Sequence, residues 1–152
     1  MVSKIRTMLN SKSFSSALTE LQNHDEELIM ILDKFIKFVI DKFMNTEDLR
    51  EEIKEYNDIY QIIITDLNFD FWLKISNNSI LYRKGINRSA SFTVKYKKDI
   101  LIKILKREIY GTDAFMKGLI KVDGDLSQGL RYTKLFRIFF LYLNNGFKKE
   151  DI

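Results

Sequence analysis

The chain has 152 residues, of which 45% are hydrophobic, 30% charged and 13% aromatic, including 12 Phe; this is the size and balance of one globular domain with a sizeable core. It contains no cysteine, which excludes disulfides, thiol catalysis and thiolate metal sites and fits a reducing compartment. The formal net charge of +4 is uneven: residues 1–45 hold six Lys/Arg against six Asp/Glu, and residues 74–110 hold ten against two, a basic region that can face an anionic membrane, nucleic acid or water.

Proline is absent and the first glycine is Gly85, so little interrupts the first half, which reads as helical. A short helix is predicted over 14–22, with Phe14, Leu18 and Leu21 on one side. The strongest pattern covers 24–44. Asp25, Glu26 and Glu27 open it and Lys37 and Lys42 lie toward its end, as the helix dipole prefers. Leu28, Ile31, Leu32, Phe35, Ile36, Val39, Ile40 and Phe43 form a wide apolar face. Thr46 is a candidate cap for a third helix from Glu47 to about Tyr56.

The period then changes from 3.6 to 2. Ile59 to Thr65 is a β-branched run, and Asp66-Leu67-Asn68 supplies a turn. In 69–76, Phe69, Phe71, Leu73 and Ile75 alternate with Asp70, Trp72, Lys74 and Ser76, the mark of a strand with one buried face. Asn77-Asn78 turns the chain into a third strand, 80–84. A fourth follows, with Ala90, Phe92, Val94 and Tyr96 inward. Short successive turns predict an antiparallel meander of these four. Helical spacing returns in 99–108 through Leu101, Ile104 and Leu105. Gly111 and Gly118 bracket Ala114-Phe115-Met116, a fifth strand is expected over 119–123, and a last helix over 126–144. The fold class is α+β: a five-stranded, mostly antiparallel sheet covered by helices on one face. Residues 1–45 read as a helical extension, 46–144 as the main domain and 145–152 as a polar tail. The extension's apolar face is expected to pack on the domain, close over it as a lid, or pair with a second copy.

The segment Ala114-Phe115-Met116-Lys117-Gly118, leading into Leu119-Ile120-Lys121-Val122-Asp123 and then Gly124-Asp125, resembles a stretch of the sterol carrier protein (nonspecific lipid-transfer) family. Ser91-Phe92-Thr93-Val94 followed by Asp99 is similar to that family's strand-to-helix step, and Leu130 to Phe136 resembles its C-terminal helix. The likeness runs from about residue 47 to 143. Arg107 stands where the family usually places a glycine, Thr133 stands where a glutamine is frequent, and residues 1–45 have no counterpart in the minimal domain. The resemblance implies non-catalytic carriage of a lipid-like apolar ligand in an internal tunnel. Its candidate walls are Phe71, Leu73, Phe92, Val94, Leu101, Ile104, Leu105, Phe115, Met116, Ile120, Val122, Leu135, Phe136 and Phe139. Read from their pattern alone, the same residues are an ordinary core.

Other functions find less in the sequence. His24 is the only histidine, so neither a histidine triad nor a histidine metal cluster can form. Asp123 and Asp125 flank Gly124 in what reads as a turn. No cofactor is implied and no phosphate-binding glycine loop is present. Arg83, Lys84, Arg88, Lys95, Lys97 and Lys98 are candidates for contact with an anionic membrane surface; with Tyr82 and Tyr96 nearby they also allow a weaker nucleic-acid reading. A third class is an interaction module or homodimer recruited through the N-terminal helices. The N-terminus lacks a signal-like apolar stretch, no run approaches the ~20 residues of a membrane span, and the C-terminal residues are not a peroxisomal tripeptide, so a cytoplasmic location is expected.

Overall fold

The computed structural model describes residues 11–145, and the side chains of 14–139; the tail from 146 lies outside the described residues. Helix α1 spans Ser11–Leu21 and α2 spans Asp25–Met44. Three carboxylates open α2 and Lys42 sits in its last turn, matching the dipole. Leu28, Leu32, Phe35, Val39 and Phe43 are its buried stripe, and Phe14 of α1 stacks on Phe35 with ring centroids 4.7 Å apart. The apolar face that would be costly in water is therefore buried within the same chain's core. Helix α3 is short, Glu47–Glu52. It stops four residues before the expected end because the chain turns at Ile53, burying both Ile53 and Tyr56. Thr46 occupies the N-cap position without a side-chain capping bond.

The strands are β1 (Asp58–Ile64), β2 (Phe69–Ser76), β3 (Ser79–Lys84), β4 (Phe92–Tyr96) and β5 (Lys121–Gly124). Asn68, Asn77 and Asn78 take left-handed φ angles of 51–58° at the two hairpin turns, a conformation asparagine tolerates better than most residues. The meander holds for three strands only. The sheet order is β3-β2-β1-β4-β5, with β4 parallel to β1 and every other pair antiparallel. The loop 85–91 thus carries the chain from one side of β1 to the other. Gln61 of β1 secures it: its amide donates to the Gly85 carbonyl at 3.0 Å and its Oε1 accepts from the Asn87 N–H at 2.7 Å. Strand β4 begins at Phe92, so Ala90 belongs to this crossing loop.

Helix α4 (Lys98–Leu105) is followed by Arg107 at φ 66°, the left-handed position a glycine adopts without penalty. Helix α5 is Gly111–Met116, and after β5 the last helix, α6, is Leu126–Asn145. Tyr60, Ile62, Ile64, Phe69, Phe71, Leu73, Phe92 and Val94 are buried on one sheet face, under α2, α4 and α6. The other face carries Gln61, Trp72, Lys74, Thr93 and Lys95.

The start of α6 is fixed by polar bonds. Asp58, almost fully buried at the head of β1, accepts from Tyr60 Oη at 2.6 Å and from Arg131 Nε and Nη2 at 2.7 and 2.9 Å. Tyr56 Oη donates to the Arg131 carbonyl at 2.8 Å, and the hydroxyls of Tyr96 and Tyr132 lie 2.8 Å apart. Burial pushes the Tyr60, Tyr96 and Tyr132 phenols up, Tyr96 to about 12, so each stays neutral and able to donate. A Cβ at Gly129 would meet the Phe92 ring at 2.7 Å, which explains a helical glycine at the closest approach of α6 to β4.

Candidate apolar ligand site

Beyond this clamped end, α6 and α2 run over the sheet and meet through aromatic rings. Phe43 meets Phe139 edge-on, centroids 4.9 Å apart, and Phe136 lies beside Phe139 at 6.1 Å. Beneath this seam is a cavity of about 60 Å³. Its walls are Leu32, Phe35, Ile36, Val39 and Ile40 from α2, Ile62 and Ile64 from β1, and Phe69, Phe71 and Leu73 from β2. Leu101 and Leu105 of α4 and Phe136 and Phe139 of α6 complete them. Every wall residue is apolar. Nothing there can hold a metal or orient a polar substrate, and no metal-ligating cluster occurs among the described residues.

The local sequence explains the walls. Alternation on β2 sends Phe69, Phe71 and Leu73 to one side, and β1 does the same with Ile62 and Ile64. On α2, Leu32, Phe35, Ile36, Val39 and Ile40 fall at helical spacing on one stripe. A void of this size left unfilled costs on the order of 1 kcal/mol. It is well below the roughly 300–1,000 Å³ of a drug-sized binding site.

Six of the sequence-derived candidates line this cavity: Phe71, Leu73, Leu101, Leu105, Phe136 and Phe139. Phe92, Val94, Ile104, Ile120 and Leu135 are buried elsewhere in the core. Phe115, Met116 and Val122 are exposed, at 48%, 80% and 37%; α5 has six residues and buries only Ala114. The α2 wall and Ile62, Ile64 and Phe69 lie outside the motif that carries the resemblance; the apolar face of 28–43, one of whose expected roles is a lid, is the sequence signal for the α2 wall.

The basic residues do not form one patch. Lys98 pairs with Asp25 at 2.8 Å, and Lys84 lies 3.8 Å from Asp33 on the helical side. Arg83 donates to the Tyr82 carbonyl and, with Lys95, belongs to the open sheet face. Arg88 is in the crossing loop and Lys97 is the N-cap residue of α4. Tyr82 Oη donates to Asp33 at 2.6 Å and Tyr96 is buried, so neither ring is presented for stacking on a base. Burial raises the Asp33 carboxyl, but bonds from Tyr82 and Lys37 and the Lys84 charge outweigh it and hold the group below its ordinary 3.8.

Among the described residues no helix is long and apolar enough to cross a membrane. Solved structures with this fold include the UbiJ-SCP2 ubiquinone synthesis protein, 13% identical with a TM-score of 0.55 over 74% of this chain and 93% of that one. Palmitated SCP2L2 from Aedes aegypti is 14% identical, with a TM-score of 0.52 over 66% and 88%. The stereoselective inverting sec-alkylsulfatase Pisa1 from Pseudomonas sp. is 26% identical, with a TM-score of 0.50 over 57% of this chain but only 14% of its own. No curated protein sequence gives a significant match. The model of the SCP-2 sterol transfer family matches residues 36–137, starting inside α2 and covering about two thirds of the chain. The chain belongs to the SCP-2 sterol transfer family.

Proposed function

We propose that the protein binds and carries a lipid-like apolar ligand, without catalysis, in the space between α2, α4, α6 and the sheet. The observation that carries this reading is the wholly apolar cavity beneath the α2–α6 seam, in a member of a sterol transfer family. The palmitated relative indicates that an acyl chain is a ligand this fold can be associated with.

At about 60 Å³ the cavity must widen to admit such a ligand, and the distribution of polar bonds indicates how. Helix α6 is clamped at Arg131 and Tyr132, and α2 is held at Asp25 and Asp33. The later turns of both helices meet through Phe43, Phe136 and Phe139. Apolar contacts are non-directional, so the Phe43–Phe139 contact parts without stranding a donor or acceptor, and a ligand replaces the contacts it breaks. Burial of the ligand contributes roughly 25 cal/mol per Å² removed from water. With no polar anchor in the walls, selectivity follows shape and length.

The test is native mass spectrometry of the purified protein, followed by organic extraction and displacement with a fluorescent fatty acid. A released species of lipid mass, or saturable uptake of the probe that an unlabelled fatty acid reverses, is the expected result. Protein that is empty and takes up no probe would sink the carrier reading.

A further inference from the structure

Among the described residues, the exposed large apolar side chains are concentrated in one stretch. Phe115, Met116, Leu119, Val122, Leu126 and Leu130 all belong to it. These residues surround β5, the last strand of the sheet. All four residues of β5 are exposed, and β4 is its one neighbour among the described residues. No proline or bulge blunts the edge, and an open strand edge is a template for pairing.

The sequence of β5 is complementary to itself. Its register with β4 sets Lys121 opposite Lys95 and Asp123 opposite Thr93 on the open sheet face, and Val122 opposite Val94 on the helical side. Suppose a second copy pairs antiparallel about a two-fold axis through Val122, perpendicular to the sheet. Alternation then keeps open face on open face. Val122 meets Val122, and each Lys121 stands directly across from Asp123 of the other copy. Within its own sheet Lys121 stands directly opposite the like charge of Lys95, and neither has a carboxylate at ion-pair distance among the described residues. Like charges opposite one another are unfavourable and opposite charges favourable. An anionic bilayer fits this surface less well, because Asp113, Asp123 and Asp125 share the stretch with Lys117 and Lys121.

We propose that β5 pairs with β5 of a second copy, antiparallel and centred on Val122, extending the sheet across a two-fold axis and covering the apolar side chains of α5 and the start of α6. The surface is independent of the ligand cavity, so dimerisation and lipid binding succeed or fail separately.

Sedimentation velocity across a concentration series tests the proposal. The wild-type chain is expected to form a dimer whose population rises with concentration. Lys121→Asp sets Asp against Asp123, and Asp123→Lys sets Lys against Lys121, so each alone weakens the dimer about tenfold. Both positions are exposed, so folding is little affected. Mixing the two variants restores dimer as a heterodimer, and the double variant restores it as a homodimer. Wild-type protein that is monomeric at roughly 1 mM, the weak limit of specific association, would overturn the proposal. So would a dimer indifferent to both single substitutions, or a monomer that instead pellets with phosphatidylcholine vesicles through Met116 and Leu126.

Discussion

The two ends of α6 are held in opposite ways. At its start, a buried carboxylate, a guanidinium and four tyrosine hydroxyls form directional bonds to β1, the turn before it and β4. Toward its other end, Phe136 and Phe139 rest on α2 and the cavity by apolar contact. The difference separates two jobs. Directional bonds between buried partners fix position, because breaking one leaves an unsatisfied group costing about 1–3 kcal/mol. Apolar contacts supply comparable energy but accept any apolar replacement, including a ligand.

The largest effect is expected at Asp58. Asp58→Ala strips Tyr60 and Arg131 of their shared acceptor and should cost about 3 kcal/mol, read as a lowered urea midpoint with m unchanged. Gly129→Ala forces a Cβ against the Phe92 ring and should cost about 2 kcal/mol, measured the same way. At the apolar end the prediction concerns affinity. Val39→Phe projects a ring into the cavity; stability should change by about 1 kcal/mol or less, while fatty-acid affinity falls at least about tenfold.

Asp33 has a folded pKa below its ordinary 3.8, so its contribution is fully present above that value. It is lost as pH falls from there through the folded pKa. Tyr82→Phe removes a bond to the ionised form and should shift the acid-unfolding midpoint to higher pH, followed by circular dichroism. Phe115→Ala and Met116→Ala should change stability by less than about 0.5 kcal/mol and leave fatty-acid affinity unchanged; loss of binding in either would return the site to the glycine-flanked motif.

Those last two residues show where sequence reasoning reached its limit. Phe115 and Met116 carry the clearest family resemblance, yet a six-residue helix has room to bury only Ala114. Helix α2 was legible from its period and charge distribution, and β2 from strict alternation, because a period names the buried face directly. What a period cannot name is the neighbour. The strand β4 alternates identically whether it pairs with β3 or β1; the loop that takes it across the sheet to β1 is bonded to Gln61. The α2 wall of the cavity was hidden for a related reason. The resemblance began near residue 47, so the apolar face of 28–43 read as belonging to an extension, whereas the fold lays it directly over Ile62 and Ile64.

Entry of ligand by parting α2 from α6 is open to test with an engineered cross-link. The natural chain has no cysteine, so Phe43→Cys with Phe139→Cys, at a pair whose ring centroids lie 4.9 Å apart, joined by a short bis-methanethiosulfonate linker that spans the gap the two rings leave, gives one reducible tether across the seam. Fatty-acid binding should be lost when the tether is formed and return when the same protein is reduced. Equal binding in the tethered and reduced forms would contradict the account and place the ligand elsewhere.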